Sequence, residues 1–187
     1  RIYIQWGYSH FYPALSMAAH VSKRTVPIKY RFDVAMSGRL GVEMQPSQMT
    51  NQEREFAKKA IQEYYNIREV VQLGNLYRLR SPYGNDVASL MYVNDDKTKA
   101  VFYAWRVLKW AGQIPIPLKL KGLDPAIKYL VTEINVWEGN PKKFECLGEF
   151  LMNVGFQIQP RSENNTPGWI GFNKDLDSEV YKIEAVK

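Results

Sequence analysis

The chain has 187 residues, 45% of them hydrophobic and 24% charged, enough for one or two domains with real cores. Its formal charge of +6 is spread out. Residues 1–48 hold six Lys/Arg against two Asp/Glu, residues 49–73 four of each, and residues 74–187 fifteen against thirteen. Without a basic block, nucleic acid is not expected as a partner. No apolar run approaches the roughly 20 residues of a membrane span, so the chain reads as soluble, with no membrane partner. The single cysteine, Cys146, excludes an intrachain disulfide and a Cys-based zinc site. With only His10 and His20 as imidazoles, no metal site is expected. Residue 1 is Arg and no signal-peptide pattern follows it, so the chain reads as a piece beginning inside a larger protein, and its compartment is not legible.

Ile2 to Phe11 reads as a helix ended near Pro13, because the residue before a proline avoids α geometry. Pro13 is placed to open a second helix carrying Ala14 to Ala19. Gly38 and Gly41 bracket a short apolar stretch running through Met44, expected as a strand between tight turns. The clearest element follows. Thr50 stands three residues before Glu53, a capping-box pattern. Phe56, Ala57, Ala60, Ile61, Tyr64, Ile67 and Val71 recur at three- and four-residue steps, which predicts an amphipathic helix over 51–72. Gly74 is expected to end it in a left-handed cap.

From Asn75 the period falls to two. Val101, Tyr103, Trp105 and Val107 alternate with Ala100, Phe102, Ala104 and Arg106, and further strand-like runs lie at Tyr129–Trp137, Glu149–Met152, Trp169–Phe172 and Glu179–Val186. Turn signals such as Asn94-Asp95-Asp96-Lys97 and Gly122-Leu123-Asp124-Pro125 separate them. This punctuation predicts an antiparallel β-sandwich over 74–187, with the boundary at Leu73–Leu76.

The run Asp33-Val34-Ala35-Met36-Ser37-Gly38-Arg39-Leu40-Gly41-Val42-Glu43 resembles the approach to, and last strand of, the catalytic barrel in melibiase-type α-galactosidases of glycoside hydrolase family 36. Gln5-Trp6-Gly7-Tyr8-Ser9 with Tyr12-Pro13 and Ala19-His20-Val21 resembles the segment after that family's general-acid loop. Phe56 to Leu79 is similar to its last barrel helix and exit, and Leu118–Pro125 and Gly148–Met152 to parts of its C-terminal sheet domain. The resemblance implies an α/β plus all-β chain. Residues 1–73 would be the last part of a (β/α)8 TIM-type barrel and residues 74–187 a C-terminal antiparallel β-sandwich. It implies a parent that hydrolyses terminal α-galactosides such as melibiose or raffinose with retention, using two aspartates and no cofactor. Both aspartates are expected upstream of Arg1. The one Lys-Trp pair here, Lys109-Trp110, is followed by Ala111 where the family's nucleophile motif has Asp. The fragment alone is therefore expected to be inactive. Its expected partners are the missing barrel segments or another copy of the chain, and, for the parent, the α-galactoside oligosaccharide. The alternative is a non-catalytic carbohydrate-binding or interaction module.

Several residues are tempting as site groups. Trp6, Tyr8 and His10 are candidate substrate contacts, because aromatic faces suit sugar C–H surfaces and polar tips suit hydroxyls; the other reading is packing between helices. Asp33 and Glu43 read as a glycosidase pair only if brought close, and Asp33 reads more simply as a local partner of Arg31 or a turn cap. His20 reads as a core or helix-end histidine. Trp105, Trp110, Trp137 and Trp169 read as core rather than as a sugar platform, and Cys146 has no signature of a nucleophile. Ile4, Leu15, Met17, Val34, Met36, Leu40 and Val42 are expected to lose their partners if the rest of a barrel is absent. The sheet half is expected to bury its own faces.

Overall fold

The computed structural model describes residues 1–108, 115–159, 168–172 and 175–186. The N-terminal part starts with helix α1 (Ile2–Tyr8), shorter than its apolar run. A 3-10 turn at Ala14–Ser16 leads to strand β1 (Ala18–Val21), helix α2 (Ile28–Ala35) and strand β2 (Arg39–Val42). Two expectations are corrected here, and one helix is added. Pro13 opens only the 3-10 turn, and Ala18–Val21 is extended. Gly41 lies inside β2 rather than beyond it. Residues 28–35 form a helix whose period is hidden in the sequence because seven of the eight are buried.

β1 and β2 lie side by side and parallel, Ala18 opposite Arg39 through Val21 opposite Val42, with α2 as the crossover. The long helix α3 (Asn51–Leu73) follows. Its capping box forms as the sequence predicts. The Glu53 amide donates to Thr50 Oγ1 at 3.2 Å, and the Thr50 amide donates to Glu53 Oε2 at 2.9 Å. Phe56 and Tyr64 are buried and Ile61 packs at the edge of the same core. Gly74 ends the helix in extended geometry, φ −74°, not in a left-handed cap. Glycine is needed there for a close approach: a Cβ would stand 2.4 Å from Val70 O and 2.9 Å from Val93 O.

The second part is a six-stranded antiparallel sheet: β3 (Asn75–Arg80), β4 (Val87–Val93), β5 (Lys99–Arg106), β6 (Lys128–Ile134), β7 (Lys143–Leu147) and the last strand, β10 (Ser178–Ala185). The order is β3-β4-β5-β10-β6-β7, so the C-terminal strand inserts between β5 and β6. The opposing layer is smaller than a full second sheet. It holds a short helix α4 (Gly148–Asn153), a parallel pair β8 (Gln157–Gln159) and β9 (Trp169–Gly171), and a bridge between Leu118 and Phe156. Residues Glu149–Met152 are thus helical where a strand was expected; Gly148 and Leu151, three apart, are the buried positions.

Every residue of β4 is buried, and β5 is buried from Ala100 to Trp105. The reason is that both faces of the sheet are covered. Leu90, Tyr92, Val101, Tyr103, Trp105 and Val180 pack with α2, α3 and α1 in one core. Met91, Phe102, Tyr129, Val131, Tyr181 and Ile183 pack with Phe156, Leu118 and Leu151 in another. The expectation that the sheet half buries its own faces therefore fails for the first of these. Val34 and Met36, expected to be stranded, lie in that core at 3% and 0% exposure. Ile4, Leu15 and Val42 do stay exposed, and Met17 and Leu40 are half-buried.

Two tyrosines of the sheet bind the two parts together, and a third, on α3, braces the same stretch from within the first part. Tyr103 Oη donates to Met36 O at 2.8 Å, Tyr92 Oη to Ser37 O at 2.7 Å, and Tyr64 Oη to Gly38 O at 2.8 Å. These carbonyls belong to the last turn of α2 and its exit, where a helix has no acceptors' partners of its own.

Candidate functional site

α1 splits the three predicted substrate contacts. Trp6 is buried, and His10, exposed, stands edge-on to it at 6.4 Å between ring centroids. Tyr8 is exposed and points to the other side, edge-on to Tyr12 at 6.2 Å. Tyr8 and Tyr12 line a cleft of about 550 Å³ between α1 and β1, together with Ile4, Met17, His20 and Glu43. A neighbouring cleft of about 490 Å³ shares Arg1, Ile4 and His20 and runs on toward Tyr30. A third, of about 360 Å³, lies between β2 and α3 and is lined by Arg39, Val42, Ile61, Tyr65 and Arg68. Each free edge of the parallel pair thus has a groove beneath a helix.

His20 is not a core or helix-end residue. It stands on β1, half-exposed, with Nδ1 2.6 Å from Glu43 Oε1. Glu43 lies just past β2, and its amide donates to Val21 O. The pairing is set by register, because His20 faces Gly41 across the two strands. The imidazole lies over that glycine: a Cβ at position 41 would meet His20 Cδ2 at 2.3 Å. Sequence reading passed over this constellation, since its members are 21 to 23 residues apart. The only signal was a glycine inside a strand, which marks a close approach.

Asp33 is remote from this chemistry. It is fully buried on α2, and its partner is Lys29 at 2.5 Å, not Arg31. Ser178 Oγ donates to Asp33 Oδ2 at 2.7 Å and Asn135 Nδ2 to Oδ1 at 3.0 Å. Arg31 instead donates to Ser22 O at 2.9 Å. Asp33 and Glu43 therefore do not form a carboxylate pair, and Asp33 is a structural group.

A second buried cluster lies in the sheet. Lys142 Nζ reaches both carboxylate oxygens of Glu179 at 2.7 Å and also donates to Trp169 O. Tyr181 Oη and the Gly171 amide donate to Glu179 as well. Glu133 accepts from the Lys142 amide, and its carboxyl is pushed above the ordinary carboxylate value, first by burial and then by the charge of Glu179. These contacts hold the β6–β10–β9 junction.

The remaining candidates sit in structural places. Trp105 is buried and stacks on Tyr103 at 5.4 Å; Trp137 packs on Phe56 at 5.1 Å; Trp169 is half-buried on β9. Trp110, with Lys109 and Ala111, lies outside the described residues. Burial pushes the Cys146 thiol up to about 11, away from thiolate chemistry. Among the described residues no group of three or more His, Cys, Asp or Glu is disposed to hold a metal ion.

Comparison with known proteins agrees with this architecture. The model of the glycosyl hydrolase family 36 C-terminal domain matches residues 87–183, and the melibiase model matches residues 1–74. α-Galactosidase AgaA of Geobacillus stearothermophilus is 36% identical over 194 residues, covering 100% of this chain and 24% of the relative. α-Galactosidase Mel36A of Lactobacillus acidophilus is 36% identical over 163 residues, covering 83% and 21%. The crystal structure of the Geobacillus enzyme superposes with a TM-score of 0.82 at 33% identity, over 100% of this chain and 24% of that one. A variant of that enzyme has been crystallised in complex with raffinose. The chain spans about a quarter of the length of these relatives, and it belongs to glycoside hydrolase family 36.

Proposed function

We propose that the chain is the C-terminal part of an α-galactosidase that removes terminal α-linked galactose from oligosaccharides such as melibiose or raffinose, with retention. Residues 1–73 are the last strand-and-helix units of its (β/α)8 barrel, and residues 74–187 its C-terminal sheet domain. The observation that carries this reading is the β1–α2–β2 unit, followed by α3. Parallel strands occur almost only in sheets covered by helices, and two of them alone are not a stable sheet. Here both outer edges run along grooves that a neighbouring strand would fill. In the parent, the preceding strand pairs with β1 and the first strand of the barrel pairs with β2.

The chain by itself does not cleave glycosides. Retaining hydrolysis needs two carboxyl groups about 5–5.5 Å apart across the glycosidic bond. Asp33 is locked in a buried network and Glu43 is engaged with His20. The tryptophan placements favour this reading over a carbohydrate-binding module, since Trp105 and Trp137 serve the core between the two parts. Tyr8, exposed in the cleft beside β1, is the surviving candidate for a substrate contact.

The test is release of nitrophenol from a nitrophenyl α-galactoside. The full-length polypeptide that carries this chain turns over, and residues 1–187 alone stay at background. Turnover by residues 1–187 that is lost on Asp33→Asn overturns the fragment reading.

A further inference from the structure

We propose that His20 binds a hydroxyl of the sugar, with Glu43 and Gly41 as the residues that position its ring. The proposal rests on the α-galactosidase reading above. Three observations carry it. First, Glu43 holds Nδ1 at 2.6 Å, although both side chains are substantially exposed, 43% and 55%. A carboxylate on Nδ1 fixes the tautomer with the proton there and leaves Nε2 as an acceptor. Second, Nε2 has no hydrogen-bond partner among the described residues, yet His20 lines both clefts against α1. Third, the ring has one place to lie. Position 41 carries no side chain, and a Cβ there would stand 2.3 Å from Cδ2 and 2.8 Å from Nε2.

The position suits the role. His20 and Glu43 stand at the C-terminal ends of two adjacent parallel strands, the end at which barrels of this type place substrate. Tyr8 and Tyr12 line the same cleft and offer ring faces to the C–H surface of a sugar. With Nδ1 held by Glu43, Nε2 is the single ring atom left to meet a hydroxyl, so the contact selects for a hydroxyl at one position of the galactose ring.

The experiment uses the full-length protein, with nitrophenyl α-galactoside and its monodeoxy analogues as substrates. The unmodified protein should lose about tenfold in kcat/KM on the analogue that lacks the hydroxyl in question. His20→Ala should lose about tenfold on the parent substrate and discriminate no further against that same analogue, while keeping its penalties at the other positions. Glu43→Gln and Gly41→Ala should show the same loss of discrimination through the displaced ring. If His20→Ala does not fold, His20→Phe, which keeps the ring's bulk, is read in the same way. Folded His20 variants that retain every deoxy penalty overturn this inference alone. A full-length protein with no turnover overturns the α-galactosidase reading and this inference with it.

Discussion

Ser178 Oγ donates a 2.7 Å hydrogen bond to Asp33 Oδ2, joining the first residue of β10 to the middle of α2 across 145 residues of chain. Lys29 Nζ donates to the same carboxylate oxygen and to Ser178 O, and Asn135 Nδ2 donates to the other oxygen, Oδ1. Everything in this junction is buried, so its members stand or fall together. Asp33→Ala leaves Lys29 as a buried charge without its partner and should cost about 3–5 kcal/mol. Ser178→Ala removes one donor while the lysine remains paired and should cost about 1–3 kcal/mol. Urea unfolding of the two variants and the double variant would check this. Strong non-additivity is expected; simple addition would mean that the two groups act separately.

The tyrosine contacts to α2 make a second prediction. Met36 O and Ser37 O are buried carbonyls at a helix end, and Tyr103 and Tyr92 are their side-chain donors. Burial pushes both phenols well above their ordinary value, so they remain protonated donors through any accessible pH. Tyr92→Phe and Tyr103→Phe keep the ring packing and delete only the donor. Each should cost about 1–3 kcal/mol, with no change in the slope of the unfolding transition.

Helix α3 shows what was legible in the sequence and why. Its stripe is one-sided and its cap local, so both signals lie within 23 residues. Thr50→Ala should therefore cost about 0.5–2 kcal/mol, and Thr50→Ser much less; equal losses in thermal melts would deny the hydroxyl its role. α2 was not legible for the opposite reason. It is buried on nearly all sides, so no period survives. The alternation in β5 was read as strand correctly, but with apolar residues at both parities it could not say which face meets which part. The two junctions were invisible as well. Asp33 looks as well placed for Arg31 as for Lys29, and the partners that decide are Asn135 and Ser178. His20 and Glu43 meet only because two parallel strands set them in register. The six-residue helix α4 is too short for any period to distinguish it from a strand.

Glu133 gives a pH prediction. Its folded-state pKa is raised by burial and by Glu179 against the opposing pull of Lys142. A raised carboxyl favours the folded state fully below the ordinary value of 4.5, and that contribution is lost as pH rises through the raised value. Glu133→Gln is neutral at every pH and keeps an acceptor for the Lys142 amide. Relative to the unmodified protein it should melt higher at pH 7–8, and the advantage should shrink toward pH 4.5. An advantage that grows on acidification would show that Glu133 is instead held ionised by Lys142.

The last prediction concerns the dependence of the sheet on the N-terminal part. Leu90, Tyr92, Val101, Tyr103, Trp105 and Val180 form the sheet's side of the core that α2 and α3 cover. Removing residues 1–73 would expose all six at a cost of about 1.5–3 kcal/mol for each large side chain, a sum comparable to the whole stability of a domain. It would also leave the tyrosine hydroxyls and Ser178 without Met36, Ser37 and Asp33. The sheet's other face keeps its cover of Phe156, Leu118 and Leu151, so collapse to a compact but poorly packed state is expected rather than full unfolding. A polypeptide of residues 74–187 should bind a hydrophobic dye strongly, lose near-ultraviolet circular dichroism and melt without a cooperative transition. Limited proteolysis of residues 1–187 should cut first in the exposed stretch around Phe11 and Tyr12 and leave α2 and α3 attached to the sheet. A cooperative melt from 74–187, with Trp105 fluorescence as shielded as in the longer chain, would mean that the sheet face is closed by something other than α2 and α3.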